Sequence, residues 1–416
     1  MRIWFVEIGE PLPFQSGQRL LRYGELTQVL ARRGHEVVWW ACNFSHQTLD
    51  FIGLPDSRVA SAGVEIVLVR GPGYRRNVGL ARLRHVAQHA RNLARQIAGE
   101  PLPDAIVAAM PTIESCDVVT AFAAARGIPV IVDVRDEWPE DYVRWLPRAL
   151  RPLGRLALAR KFAALRRVCR KAASLTSVTE RQLAYGLRHA GRAKNGADAV
   201  FHTGARRARI DGDLVAAQVA ALRAQGLAES DFICVFTGTM SASRPLDATI
   251  AAVKRLSGRI PIKLVIAGKG DREQLYREQA ADCPAVIFAG WVDAVRMAAL
   301  NEIADVLLAP YSTEYGFSLP TKIFDYMAAG RPLLSSCPGE AEELLRRERI
   351  GVQIQADGVA GIEEALLALH ADPEARRSMG QRARELFERE YAIETILESY
   401  ADHIEQTALR TRGRAA

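Results

Sequence analysis

The 416-residue sequence lacks long apolar runs, clustered cysteines and internal repeats, and each absence excludes a class of protein. Arg or Asp interrupts every apolar stretch before it reaches the roughly 20 residues of a membrane-spanning helix. The six cysteines are scattered, without a Cys-x-x-Cys pair or a histidine at ligand spacing, so we expect buried free thiols and no metal site. No repeat and no low-complexity segment is visible, which argues against a solenoid or a disordered chain.

The first apolar run is short and is followed by Glu7 and Glu10, so it reads as a strand and not as a signal peptide. We therefore expect a cytoplasmic protein. The composition, 49% apolar and 25% charged, is that of an ordinary globular chain, and its length suits two domains of roughly 200 residues.

Short β-branched apolar runs alternate with amphipathic stretches, which is typical of parallel α/β sheets. The sequence predicts two doubly wound, Rossmann-like domains. The expected strands lie near 2–8, 36–41, 64–69, 104–109, 129–134 and 174–178, then near 232–237, 262–267, 285–289, 305–309, 332–336 and 351–354. We expect the first domain over 1–205, with a C-terminal helix (391–416) returning to it, and the second over 206–390.

Positive charge is concentrated in the first half of the chain. Residues 1–200 carry 29 Lys and Arg against 18 Asp and Glu, whereas residues 201–416 carry 26 against 30. The segment 143–173 combines Leu, Trp145 and Phe162 with Arg at helical spacing, as does a helix that lies on an anionic membrane. The alternative is a solvated Arg-rich face whose leucines pack on the sheet. Nucleic acid is disfavoured, because no aromatic base platform is visible.

Three segments of the second half could bind a phosphate. A strand runs into Gly238, a polar loop with Arg244 follows, and a helix begins near Leu246. The next strand ends in Gly268-Lys269-Gly270, and we expect Asp271 to cap the following helix. Glycine allows a phosphate close to the backbone, and helix N-terminal amides favour its charge. An ordinary βα turn explains each of these two segments as well.

The third segment, SLPTKIFDYMAAGRP (318–332), predicts a helix with Ser318 as N-cap, Pro320 in its first turn and a left-handed cap at Gly330. Lys322 and Asp325 lie three residues apart, hence on one side of the helix. A cation and helix amides suit a diphosphate, and a carboxylate suits ribose hydroxyls. A surface ion pair on a packed helix is the alternative.

This helix resembles the donor-binding helix of the retaining family-4 glycosyltransferases of GT-B fold. The segments RLLRYGELTQVLARRGHEVVWW (19–40) and IPVIVDVRDEWPE (128–140) are similar to other parts of that family, in the same order. The resemblance covers about residues 2–390. It implies two Rossmann-like domains facing each other across a cleft and transfer of a sugar from a nucleotide sugar.

The resemblance also implies roles for individual residues. Asp136 would face the acceptor, Arg244 and Lys322 would stabilise the leaving diphosphate, and Asp325 would bind the ribose. The other donor-binding positions that it implies are Gly17, Gly238, Thr239, Gly268, Gly270, Trp291, Ser318, Leu319, Pro320 and Thr321. Two positions depart from the family pattern: Phe317 replaces an acid, and Thr239 replaces an arginine.

The implied activity is retaining transfer of a hexosyl or N-acetylhexosaminyl group from a UDP-, GDP- or dTDP-sugar, without a metal or other cofactor. The implied acceptor is a glycan or polyprenyl-linked sugar in bacterial surface polysaccharide assembly, at the cytoplasmic face of the inner membrane. A sugar-nucleotide epimerase and a non-catalytic scaffold remain as alternatives.

Overall fold

The computed structural model describes residues 1–15, 20–76, 79–110, 112–207, 210–316 and 318–415. The chain divides into two compact units: 1–202 with 396–416, and 203–395. Each unit contains one sheet with helices on both faces, so the predicted pair of Rossmann-like α/β domains is confirmed.

The first sheet contains eight strands in the order β3-β4-β2-β1-β5-β6-β7-β8. These strands are β1 (Arg2–Val6), β2 (Glu36–Cys42), β3 (Ser57–Ser61), β4 (Val64–Val69), β5 (Ala105–Met110), β6 (Val130–Val134), β7 (Ser174–Ser177) and β8 (Ala199–Val200). Neighbouring strands are parallel except for β3, which pairs antiparallel with β4 at the sheet edge. The sequence analysis did not predict β3 or β8.

The second sheet contains six parallel strands in the order β11-β10-β9-β12-β13-β14. These strands are β9 (Phe232–Thr237), β10 (Ile262–Ala267), β11 (Val286–Gly290), β12 (Val306–Ala309), β13 (Leu333–Ser335) and β14 (Gly351–Gln353). Each lies within two residues of its predicted position.

Within the described residues, sixteen α-helices accompany the two sheets. They are α1 (Arg22–Arg32), α2 (Leu80–Gln96), α3 (Ile113–Ala124), α4 (Glu140–Arg144), α5 (Arg151–Ala157), α6 (Ala159–Lys171), α7 (Glu180–Ala190), α8 (Gly212–Ala224), α9 (Asp247–Leu256), α10 (Glu273–Gln279), α11 (Ala294–Ile303), α12 (Thr321–Ala329), α13 (Glu340–Glu348), α14 (Val359–Ala371), α15 (Pro373–Leu386) and α16 (Ile393–Ala415).

Alternate residues of the second sheet point to opposite faces, as the pleat requires. Ile233 and Val235 of β9 belong to one apolar cluster, and Cys234 and Phe236 belong to the other. Because both faces are covered, the strands are almost continuously apolar, which is the pattern that made them predictable from the sequence.

The C-terminal helix packs on the first unit. Arg33 at the end of α1 forms ion pairs with Glu398, Asp402 and Glu405 of α16. The Tyr400 hydroxyl lies 2.8 Å from the Thr176 hydroxyl of β7. All six cysteines are buried free thiols, as predicted.

Candidate functional site

Helix α12 lies at the carboxyl edge of the second sheet, after the central strand β12. It buries Ile323, Phe324 and Met327 against the sheet and leaves Asp325 exposed. Gly330 ends the helix in the left-handed conformation, with φ 68° and ψ 38°, as predicted. One face of this helix therefore anchors it, while the side with Lys322 and Asp325 borders the edge of the sheet.

The predicted N-cap of α12 is wrong. The helix begins at Thr321, and its N-cap is Pro320, which has no side-chain hydrogen bond to offer. The Ser318 hydroxyl instead accepts the Glu340 amide (3.3 Å), and its carbonyl accepts the Ala341 amide (2.8 Å). Ser318 thus satisfies the first amides of α13, and the first amides of α12 have no side-chain cap.

Lys322 is directed inward from α12 towards the end of β9. Its Nζ donates to Thr237 Oγ1 (3.3 Å) and lies 5.1 Å from the centre of the Tyr326 ring. The Thr237 amide in turn donates to the Tyr326 hydroxyl (3.2 Å). A hydroxyl and an aromatic face thus hold the ammonium in place, without a carboxylate at hydrogen-bond distance in these contacts.

Burial lowers the pKa of Lys322 to about 8, because a charged ammonium loses hydration there. The charge of Asp325 acts in the opposite direction, and that of Arg244 adds to the lowering. A lysine whose charge the folded protein disfavours is poised to gain from an anionic ligand, since a nearby negative charge restores the ammonium form.

Gly238 follows β9 and faces Lys322. Its φ is +144°, and a Cβ at this position would lie 3.2 Å from Lys322 Cε and 3.3 Å from Nζ. A side chain here would therefore both strain the backbone and crowd the ammonium. Thr239, the next residue, is exposed.

Gly268 and Gly270, after β10, allow two loops to pack backbone against backbone. A Cβ on Gly268 would lie 1.9 Å from the Gly238 carbonyl oxygen, and one on Gly270 would lie 1.9 Å from that of Met240. The Gly238 amide donates to the Ala267 carbonyl at 2.8 Å. This packing alone requires both glycines, whether or not a ligand touches them.

The helix after this turn, α10, begins at Glu273 with Arg272 as N-cap and no side-chain hydrogen bond at the cap. The predicted capping by Asp271 is therefore wrong.

Arg244 lies in the loop between β9 and α9, and its guanidinium is 5.8 Å from the centre of the Tyr311 ring. The Ser312 amide donates to the Ser243 carbonyl (3.1 Å), which ties this loop to the segment after β12. Arg244 Nε is buried and has no hydrogen-bond partner within the described part of the chain. A buried donor without a partner is costly, so this atom is a candidate contact for a ligand.

The remaining predicted donor positions are spread along the same edge. Leu319 is buried, Pro320 is half-buried and Thr321 is exposed at the start of α12. Trp291 follows β11, the outermost strand, and is 71% exposed. Gly17 and Phe317 lie outside the described residues.

Chemically, the carboxyl edge of the second sheet offers two cationic side chains, uncapped helix amides and an exposed carboxylate. The structure brings together Gly238, Arg244, Lys322 and Asp325 around the end of β9. This arrangement suits a ligand with a diphosphate and vicinal hydroxyls. Within the described ranges, no group of three His, Cys, Asp or Glu side chains could hold a metal ion.

In the first unit, Asp136 follows β6. The residue has an exposed surface, but its carboxylate is surrounded by enough protein atoms for desolvation to raise its pKa. The charge of neighbouring Arg135 acts to lower that pKa. Arg135 forms an ion pair with Glu10, which was not predicted as a site residue.

Glu7, at the end of β1, was also not predicted. Burial, reinforced by the charge of Glu10, raises the pKa of Glu7 to about 7. Glu7 directly follows β1 at the carboxyl edge of a parallel sheet, and Glu10 lies three residues further on; a carboxylate directly after such a strand is a signal that could have identified Glu7.

The basic segment of the first unit has two different parts. Helix α6 buries Phe162, Leu165 and Val168, so the helical spacing of its apolar residues reflects packing in the core. Helix α5 buries no residue, and Leu153 and Leu156 are 63% and 74% exposed. The alternative, apolar side chains packed in the core, thus holds for α6, whereas those of α5 are exposed, and membrane contact of the segment stays a prediction. No helix of the described chain is both long and apolar enough to cross a bilayer.

Two family models match the chain. "Glycosyl transferase 4-like domain" matches residues 22–197, and "Glycosyl transferases group 1" matches residues 231–372. A phosphatidyl-myo-inositol mannosyltransferase of Mycolicibacterium smegmatis is 30% identical over 138 residues, which are 33% of this chain and 35% of that protein. The match thus spans about a third of that relative's length.

Solved structures share the whole fold. Sucrose-phosphate synthase from Thermosynechococcus elongatus superposes with a TM-score of 0.67 at 16% identity, over 97% of this chain and 98% of the other. Anabaena HepE in complex with UDP gives a TM-score of 0.60 at 15% identity, over 98% and 100%. These likenesses confirm the predicted GT-B fold class.

Proposed function

We propose that this chain, which matches models of a glycosyl transferase 4-like domain and of group 1 glycosyl transferases, moves a hexosyl or N-acetylhexosaminyl group from a nucleoside-diphosphate sugar to a glycan acceptor, with retention of the anomeric configuration. The observation that carries this proposal is the convergence of Lys322, Arg244 and Gly238 at the carboxyl end of β9.

The donor diphosphate would lie between the Gly238 turn and the first turn of α12. There Lys322 Nζ and the unpartnered Arg244 Nε would meet its oxygens, and the uncapped amides of α12 would add their partial positive charge. Charge develops on the diphosphate as the glycosidic bond breaks, so these fixed cations favour the transition state over the bound substrate.

Asp325 is one turn further along α12 and would accept hydrogen bonds from the ribose hydroxyls. No side chain has to act as a nucleophile: the departing diphosphate can accept the acceptor's proton on the face from which it leaves. The protein then contributes positioning and charge stabilisation. Asp136 would face the acceptor, and Trp291 would lie near the base. The roles of Thr239, Gly268, Gly270, Leu319, Pro320 and Thr321 as donor contacts remain predictions.

We further propose a lipid-linked acceptor of bacterial surface polysaccharide assembly, reached by peripheral contact with an anionic membrane. Two features support this proposal. The M. smegmatis relative is named a phosphatidyl-myo-inositol mannosyltransferase, a name that refers to a lipid, and the leucines of α5 are exposed in this chain. Ten Lys or Arg and no Asp or Glu lie between Tyr142 and Thr179, so this region carries the charge that anionic headgroups attract.

The test is a panel of UDP-, GDP- and dTDP-sugars offered with and without a lipid-linked acceptor. We expect acceptor-dependent release of the nucleoside diphosphate with one of them. Asp325→Ala should reduce turnover at least 100-fold while the unfolding transition stays within a few degrees of the wild type. Glu364→Ala, an exposed acid on α14, is the matched control and should remain active. Conversion of the nucleotide sugar without an acceptor would favour a sugar-nucleotide epimerase. If calorimetry detects no binding of any nucleoside diphosphate, both the glycosyltransferase and the epimerase proposals are refuted.

A further inference from the structure

The amine of Lys322 has surroundings that suit a nucleophile as well as a cation. The side chain is half-buried, so a small molecule in solution can reach it. Its Nζ donates to Thr237 Oγ1 at 3.3 Å and lies 5.1 Å from the centre of the Tyr326 ring. A neutral amine also donates a hydrogen bond to a hydroxyl, so the contact with Thr237 does not depend on the positive charge.

Burial favours the neutral form of this amine. It lowers the pKa of Lys322 to about 8, against the opposing charge of Asp325, and the charge of Arg244 adds to the lowering. About a quarter of the Lys322 side chains are then neutral at pH 7.5, whereas a lysine with the ordinary pKa of about 10.5 is almost wholly protonated. Only the neutral amine has a lone pair with which to attack carbon.

Hydrogen-bond donors that suit an anion lie next to this amine. Arg244, whose charge acts on Lys322, has a buried Nε without a hydrogen-bond partner in the described part of the chain. Lys322 is in the first turn of α12, and the N-cap of that helix, Pro320, offers no side-chain acceptor. Gly238 places no side chain in between, since a Cβ there would lie 3.3 Å from Nζ. A small anionic group attached to Nζ would therefore meet donors.

Carbon dioxide is the reactant that gives an amine such a group. The lone pair of Nζ attacks its carbon, the new N–C bond forms as one C=O bond opens to a carboxylate oxygen, and the nitrogen releases one proton to solvent. The product is a carbamate, which carries one negative charge where the ammonium carried one positive charge. Its remaining N–H can still donate to Thr237 Oγ1, and its oxygens can accept from Arg244 Nε.

We propose that Lys322 is a reversible carboxylation site, at which carbon dioxide forms a carbamate that pairs with Arg244. The adduct places a negative charge where the proposed function places the donor diphosphate, so it should compete with the nucleotide sugar. Formation of the carbamate does not depend on the proposed function, and only this competition rests on it. Donor binding would thereby respond to the concentration of carbon dioxide.

The test is ¹³C NMR of the full-length protein, labelled with [ε-¹⁵N]lysine, in ¹³C-bicarbonate at pH 8. The carbamate carbon should give a resonance that is split by its bond to the labelled nitrogen, which the unlabelled α-amine of Met1 does not produce. Lys322→Met should lose this resonance, and Arg244→Gln should reduce its intensity about tenfold. Lys171→Met removes an exposed lysine of the first unit and should keep the resonance.

The absence of a split resonance in the wild type overturns the proposal, and so does a resonance of equal intensity in Lys322→Met. UDP, GDP and dTDP, added separately to the carboxylated protein, test the competition. Loss of the resonance with a nucleotide that calorimetry shows to bind supports a shared site, and a resonance that persists at saturation overturns the competition. If none of the three nucleotides binds while the resonance is present, the proposed function fails and the carboxylation site stands.

Discussion

In the proposed donor site, the buried ammonium of Lys322 should make nucleotide affinity depend on pH between about pH 8 and 10.5. Its pKa is lowered to about 8, chiefly by burial, so the free protein loses this charge as the pH rises through 8. A bound diphosphate favours the charged form and should return the pKa towards its ordinary value of about 10.5. Affinity should therefore be fully present below pH 8 and should fall above it.

The size of the effect follows from the two pKa values. With a pKa of about 8, Lys322 is about three quarters charged at pH 7.5 and about 3% charged at pH 9.5 in the free protein. If the bound form titrates near 10.5, the dissociation constant should rise about 20-fold between these pH values. The phosphate's own second ionisation, near pH 6, is complete throughout this range.

The assay is calorimetric titration of whichever of UDP, GDP and dTDP binds, at half-unit steps from pH 7.5 to 9.5. Lys322→Met keeps the length of the side chain but removes the titrating group, so its affinity should be weaker and nearly independent of pH. A wild-type dissociation constant that changes less than about threefold would contradict the reasoning, as would the same slope in Lys322→Met.

The same variant has a second expected effect, on folding. Lys322 has a folded pKa below its unfolded value, so the unfolded chain binds more protons between about pH 8 and 10.5, and wild-type stability should rise with pH there. At pH 7 the buried charge opposes folding. Lys322→Met should therefore stabilise the nucleotide-free protein, by up to about 3 kcal/mol in urea denaturation.

Two further predictions concern the loop packing and the apolar surface. Gly268→Ala should destabilise the protein by about 3 kcal/mol or more, because its Cβ would overlap the Gly238 carbonyl. Gly258→Ala is the control, since nothing lies within 4 Å of a Cβ at that position. Equal urea midpoints for the two variants would refute the packing argument. The double variant Leu153→Ser, Leu156→Ser should sediment at least fivefold less with vesicles that contain anionic lipid, at unchanged thermal stability. Vesicles of zwitterionic lipid alone should bind the wild type weakly. If the double variant sediments as the wild type does, α5 has no part in the proposed membrane contact.

The sequence predicted best those strands whose apolar pattern is clear. Strands β9 and β10 coincide with their predicted ranges, because both faces of the sheet are covered and the strands are continuously apolar. Strand β3 was missed since it lies at the sheet edge with alternating half-buried and exposed side chains. Its sequence, SRVAS, contains one large apolar residue, and only its pairing with β4 defines it as a strand.

Local capping was less predictable than the elements themselves. Ser318 has the sequence position of an N-cap for α12, yet its hydroxyl binds the amide of Glu340, 22 residues away. A serine can satisfy either helix, and the sequence does not record which helix start the fold brings next to it. Asp271 similarly lies beside α10 without capping it.

The basic segment 143–173 also shows that the sequence does not reveal what packs against a helix. Its helices α5 and α6 have similar compositions but lie in different environments. Both α5 and α6 combine Arg with apolar residues, but α6 packs Leu165 and Val168 into the core, whereas α5 buries none of its residues. Helical periodicity indicates that one face is apolar, and it does not tell what covers that face.

The surroundings of two cationic side chains, Arg135 in the first unit and Lys322 in the second, differ. In the first unit, Arg135 forms an ion pair with Glu10, and Asp133 accepts hydrogen bonds from Tyr23 and Thr176. In the second unit, Lys322 is held by a hydroxyl and a ring, and its pKa falls. Burial disfavours the Lys322 ammonium in spite of the opposing charge of Asp325, which raises the free energy of the empty site; a bound anion would recover that difference. Under the proposed function, the burial that disfavours the Lys322 ammonium also provides its expected affinity for a diphosphate, so Lys322→Met should both stabilise the empty protein and weaken diphosphate binding.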